Sequence, residues 1–136
     1  MNEPTTIETF MSRPIHTIGT DSSVAEARRR MTEHGCRHLL VLRGGHLEGV
    51  VSERDLVLVE GVLAESSAST AVDEVMSGEV YTVAPDASAS EVFATMAARR
   101  LGAAVVSKAG TPIGIVTTTD GLAAAAKLLG AARVAP

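Results

Sequence analysis

Gly49-Val-Val-Ser-Glu-Arg-Asp55 and Gly114-Ile-Val-Thr-Thr-Thr-Asp120 share one pattern: a glycine, two β-branched residues, a hydroxyl residue and, three positions on, an aspartate. The apolar pair reads as the end of a buried strand, and the hydroxyl residue stands where a helix N-cap belongs. Such a junction offers free backbone N–H groups and the positive end of a helix dipole, which suit a phosphate. An aspartate one turn into the helix can accept two hydrogen bonds from a ribose diol. The same spacing is also that of ordinary helix capping. Two details favour more than capping: Asp is shorter than the Glu or Gln a capping box prefers, and it recurs at the same place twice.

Working outward, the recurrence extends over nearly the whole chain. An offset of 65 residues, without a gap, sets Thr5 on Thr70, Met11-Ser12 on Met76-Ser77, Asp21 on Asp86 and Glu26 on Glu91. Met31 then meets Met96, Val41 meets Val106, Gly45 meets Gly110, and Gly49 meets Gly114. The reading is two repeats, 5–64 and 70–129, joined by a linker at 65–69 and followed by a flexible tail at 130–136. Each copy of about 60 residues is marginal alone, so the two are expected to share one core.

Each repeat reads alike. Short extended runs at 15–18 and 80–83 precede turn residues. Ser23-Val-Ala-Glu26 and Ser88-Ala-Ser-Glu91 have the capping-box form, predicting helices with Gly35 and Gly102 as their stops. Apolar runs at 39–42 and 104–106 predict buried strands, followed by turns at 43–46 and 108–111. Return strands run through 49–51 and 114–116, and second helices begin at Ser52 and Thr117. The order β-α-β-β-α, twice, defines a mixed α/β (α+β) fold with pseudo-two-fold symmetry.

Composition narrows the function. With 136 residues, 46% hydrophobic and 21% charged, the chain can bury a core. It has no Trp, one Tyr and two Phe, which excludes a row of aromatic platforms for single-stranded nucleic acid. A net charge of −4 adds no general attraction for phosphate backbones, so no nucleic-acid partner is expected. The single cysteine, Cys36, favours a reducing compartment, and no stretch reads as a signal peptide or membrane span. The expectation is a cytoplasmic, non-membrane protein. The basic run Arg28-Arg29-Arg30 reads as a solvated helix face, because Glu26 and Glu33 flank it. His34, Cys36 and His38 lie close in sequence, but a helix stop at Gly35 separates them, so no metal site is expected. Neither a nucleophile elbow nor a His-Glu-x-x-His motif is present, so no catalytic residues and no enzymatic activity are predicted.

These residues resemble a known family, the CBS domain, named for cystathionine β-synthase and usually found as a tandem pair. The resemblance spans both repeats and rests on the short strand before Asp21 or Asp86, the turn Gly44-Gly45 or Ala109-Gly110, and the closing Gly-x-x-Ser/Thr-x-x-Asp. It implies a regulatory module that binds adenosine-containing ligands in clefts between repeats. On that resemblance, Asp55 and Asp120 would hold ribose hydroxyls, with Ser52 and Thr117 beside them. Apolar side chains and backbone around Ile15 and Val80 would flank adenine. Basic residues opening the second strand would meet phosphates: Arg37 and His38 in the first copy, against Gly102-Ala103 in the second. A site pairing Asp120 with Arg37 and His38 would therefore suit a charged nucleotide, while the one around Asp55 keeps only Arg54. Leu40 and Val105 stand where the family often has proline, which alters the shape beside adenine.

The resemblance further implies AMP, ADP or ATP as ligand, with S-adenosylmethionine possible, a role in energy sensing and a homodimer formed through helices. The Ala-rich stretch 122–129 suits such packing. The alternative is a structural dimerisation module whose Ser/Thr and Asp residues are helix caps alone.

Overall fold

The computed structural model describes residues 5–134. They fall into two compact units, one comprising Ile15–Val80 and the other Met1–Pro14 with Tyr81–Pro136. These units are not the sequence repeats. Residues 5–12, which open the first repeat, belong to the unit built on the second, and residues 70–77 belong to the unit built on the first.

In the unit Ile15–Val80 the elements are β1 (Thr17–Gly19), α1 (Val24–His34), β2 (His38–Arg43), β3 (His46–Ser52) and α2 (Glu53–Leu63). Strand β2 is central, parallel to β1 and antiparallel to β3. Alternation along β2 sends Leu39 and Val41 to one face, where they join Val24, Ala27 and Met31 of α1, Val51 of β3 and Leu56 of α2. Val72, from the opening of the second repeat, completes this cluster and is fully buried. Its N–H donates to the Ser22 carbonyl at 2.7 Å, and Val24 N–H donates to the Thr70 carbonyl at 2.9 Å. Full burial of a side chain such as Val72 contributes about 1.5–3 kcal/mol, enough to fix where an otherwise short segment lies.

In the other unit, β4 (Thr82–Val83), α3 (Ala89–Arg99), β5 (Ala103–Lys108), β6 (Thr111–Thr117) and α4 (Thr118–Val134) repeat the plan. Its cluster gathers Ala89, Val92, Met96, Ala104, Val106 and Val116 around Ile7, the 65-residue counterpart of Val72. A register irregularity falls at Val41/Leu42 in one sheet and at Val106/Ser107 in the other, again 65 residues apart.

Several local expectations change. The first strand of each repeat starts two residues later than 15 and 80. Helix α3 ends with Arg100 in the left-handed region (φ 56°), not at Gly102. Arg100 is the counterpart of Gly35 (φ 64°), and the N–H of the next residue, Leu101 or Cys36, closes the helix onto Met96 or Met31. At Ser23 and Ser88 only half of the expected box forms: each hydroxyl accepts from the backbone three residues on. The Glu26 carboxylate instead takes Arg29 and Arg30, whose hydrogen bonds hold it below the ordinary carboxylate value. Stretch 65–69, expected as a linker, lies within a 3-10 element, Ala64–Ser69, with Ser67 buried. Of the expected tail, 130–134 continue α4, and 135–136 lie outside the described residues.

Candidate functional site

Both aspartates sit one turn inside a helix that follows directly on a strand. At the end of β3, Ser52 N–H donates to Asp55 Oδ2 at 2.8 Å, and Asp55 N–H donates back to Ser52 Oγ at 3.1 Å. This is a complete reciprocal box. At the end of β6, Thr117 N–H donates to Asp120 Oδ2 at 2.8 Å, the Thr117 hydroxyl donates to the same oxygen at 3.1 Å, and Asp120 N–H donates to Thr117 Oγ1 at 3.3 Å. In each case one carboxylate oxygen is turned back onto the helix start. The shorter Asp side chain reaches its cap as completely as a Glu would.

The second oxygen distinguishes the two. Asp120 Oδ1 accepts the Ser12 hydroxyl at 2.8 Å. Ser12 is held there because its backbone exchanges two hydrogen bonds with Ile115, at 2.7 and 3.1 Å. Its counterpart Ser77 makes the equivalent backbone exchange with Val50, at 2.9 and 3.1 Å. Among the described residues no bond joins the Ser77 hydroxyl to Asp55. In the sequence Ser12 and Ser77 are matching repeat positions beside Met11 and Met76, and that match is the one signal of this role.

Other predicted residues gather in the unit Ile15–Val80. Glu53 N–H donates to the Arg37 carbonyl at 2.9 Å, and His38 pairs with Ser52 across β2 and β3. The structure thus brings Arg37 and His38 to the same sheet end as Ser52 and Asp55. Arg37 and Arg54 are exposed, and Ile15 and Val80 are partly buried at the ends of this unit. In the other unit, Gly102 takes the place of Arg37, its carbonyl accepting Thr118 N–H at 3.1 Å. No side chain there supplies a positive charge at that position.

The remaining polar clusters have structural partners. Arg28 reaches Glu60 of α2 at 2.5 Å, while Arg29 and Arg30 pair with Glu26 on their own helix. Burial pushes the Cys36 thiol up, away from the reactive thiolate. Among the described residues, no group of three or more His, Cys, Asp or Glu is arranged to hold a metal ion. No described helix is long and apolar enough to cross a membrane.

Two α/β repeats, each closing on a capped aspartate at a strand–helix junction, form a tandem pair. The CBS domain family model matches residues 7–60 and 72–127. The chain belongs to the CBS domain family. It is 36% identical over 114 residues to an inosine-5'-monophosphate dehydrogenase from Korarchaeum cryptofilum, covering 83% of this chain and 23% of that one. The curated relatives it matches are longer; this chain spans between 13% and 52% of their lengths. Among solved structures, a putative acetoin utilization protein from Vibrio cholerae superposes with a TM-score of 0.80 at 27% identity, covering 98% of this chain and 99% of that one. A putative signal-transduction protein with CBS domains from Burkholderia ambifaria gives 0.80 at 30% identity, covering 89% and 93%. Two structures of the same fold, 24% and 23% identical, are complexes: the CBS pair of protein MJ0100 with 5-methylthioadenosine and S-adenosylmethionine, and CBSX2 with AMP.

Proposed function

We propose that this chain binds an adenine nucleotide and passes its occupancy to a protein partner or to its own oligomer in the cytoplasm. The observation that carries this reading is the duplicated junction: Asp55 and Asp120 are both held with one carboxylate oxygen bonded back onto the helix start. Two carboxylates fixed in this way suit vicinal hydroxyls, with Ser52 and Thr117 beside them. Arg37 and Arg54 supply positive charge and His38 an imidazole N–H for phosphates, and Ile15 and Val80 supply apolar contact for the base. The AMP and S-adenosylmethionine complexes of the related folds support this ligand class. Energy sensing follows if AMP, ADP and ATP bind with different affinities, because a ligand shifts a conformation only by its differential affinity.

The test is a thermal-shift panel with AMP, ADP, ATP, S-adenosylmethionine and a dinucleotide. Ligand at about a hundred times its dissociation constant adds roughly 2.7 kcal/mol, a rise of several degrees for a chain of this size. No shift with any of them contradicts the reading.

A homodimer is the second part of the proposal. Helix α2 leaves Leu58 and Val62 61% and 80% exposed, and α4 leaves Leu122, Leu128 and Leu129 each 67% exposed. Leu58 and Val62 are four residues apart, and Leu122 and Leu129 seven, so each pair shares a helix face. A second copy of the chain covers these apolar residues.

One observation favours the rival reading of a dimerisation module without nucleotide. Both aspartates complete their caps, which alone accounts for their presence. Under that reading no nucleotide changes melting.

A further inference from the structure

We infer that the Ser12 hydroxyl competes with a ligand's ribose for Asp120, making Ser12 a positioning residue that lowers affinity at this junction alone. The inference rests on the proposed nucleotide-binding role. Asp120 Oδ2 already accepts two hydrogen bonds from Thr117, and Oδ1 accepts one from Ser12. A vicinal diol that binds this carboxylate needs Oδ1, the oxygen not turned back onto the helix. Two backbone bonds to Ile115 fix the Ser12 main chain, so that only its side-chain rotation remains to be ordered when its hydroxyl meets Asp120. The diol must therefore replace an existing charge-assisted hydrogen bond instead of filling an unused acceptor. Among the described residues no such competitor bonds Asp55, although Ser77 occupies the matching place. The two junctions, alike in sequence, differ in what a ligand must displace.

Displacement also gives a route outward. Ser12 ends the segment that carries Ile7 into the core of its unit, and that segment is tied to α3 through Ala89 N–H on the Thr5 carbonyl at 2.9 Å. A ligand that takes Asp120 releases one hydrogen bond that anchors this segment.

The experiment is calorimetric titration of the full chain with AMP and with 2′,3′-dideoxy-AMP, for the unsubstituted protein and for Ser12→Ala, Ser12→Cys, Ser77→Ala and Asp120→Ala. Ser12→Ala tightens AMP by about three- to tenfold, the range expected when one competing hydrogen bond is removed. Ser12→Cys, with its weak thiol donor, moves AMP affinity in the same direction by less. Dideoxy-AMP, lacking the diol, is indifferent to Ser12→Ala, and Ser77→Ala changes nothing. Unchanged or weaker AMP binding by Ser12→Ala, while Asp120→Ala still abolishes binding, overturns the competition and leaves the nucleotide reading intact. Equal tightening of both ligands also overturns it. AMP binding unchanged by Asp120→Ala overturns the competition and leaves Asp55 as the nucleotide site, whereas no AMP binding at all overturns both.

Discussion

Met76 occupies the place where a side chain on Gly49 would stand: its sulfur lies 2.6 Å from the position of a Cβ there, and the Ser77 carbonyl oxygen lies 2.5 Å from it. Met11 covers Gly114 in the same way in the other unit. The opening glycine of each Gly-x-x-Ser/Thr-x-x-Asp stretch therefore serves packing, because it lets the opening segment of one repeat lie against the last strand of the other.

Gly49→Ala and Gly114→Ala should each destabilise by about 1–3 kcal/mol, the usual cost of overpacking. Gly61 supplies the contrast, being exposed within α2 with nothing within 4 Å of its missing Cβ. Gly61→Ala should stabilise by about 0.5–1 kcal/mol. Chemical denaturation of the three variants measures both signs.

Arg100 (φ 56°) and Ala109 (φ 52°) hold left-handed conformations where the first repeat has Gly35 and Gly44. A residue with a Cβ pays about 1–2 kcal/mol there, while glycine costs roughly 0.5–1 kcal/mol in the unfolded chain. Arg100→Gly and Ala109→Gly should thus each gain about 0.5–1 kcal/mol, read as a higher melting temperature.

His16 and His34 stack with ring centroids 4.1 Å apart and planes at 14°. Burial first, and the charge of His34 second, lower the His16 pKa from 6.5. The unfolded chain therefore takes up a proton that the folded chain resists, and stability falls as pH drops below the unfolded value. His16→Gln should flatten the decline in melting temperature between about pH 7 and pH 5. An unchanged slope would show that this stack does not contribute.

Leu122→Glu should convert the proposed dimer to a monomer, because a charge cannot be buried unpaired at an apolar contact. Light scattering coupled to size exclusion reads the mass. A unit-chain mass for the unsubstituted protein would remove the dimer.

Much of this fold is legible in the sequence because it is written locally and twice. The hairpin glycines, the alternation through Leu39 and Val41, and the caps at Ser52 and Thr117 depend on neighbours within a few residues. The exchange of opening segments depends on contacts such as Ser12 with Asp120, 108 residues apart, for which no periodicity provides a signal. The helix stop at Arg100 was hidden because arginine there mimics a conformation ordinarily signalled by glycine; only the 65-residue match to Gly35 could reveal it. Capping by Asp55 and Asp120 was legible as spacing. That Ser12 holds one carboxylate and Ser77 leaves the other was not, since the two serines stand in matching sequence.

The central claim is that Asp55 and Asp120 hold a ligand as well as a helix end. Nucleotide affinity and denaturant stability measured together on Asp55→Ala and Asp120→Ala test it most directly. The account predicts about 0.5–2 kcal/mol of lost stability from the missing cap, together with at least a tenfold loss of AMP affinity in one or both variants. Loss of stability with AMP affinity unchanged in both variants would contradict it and leave the two aspartates as caps alone.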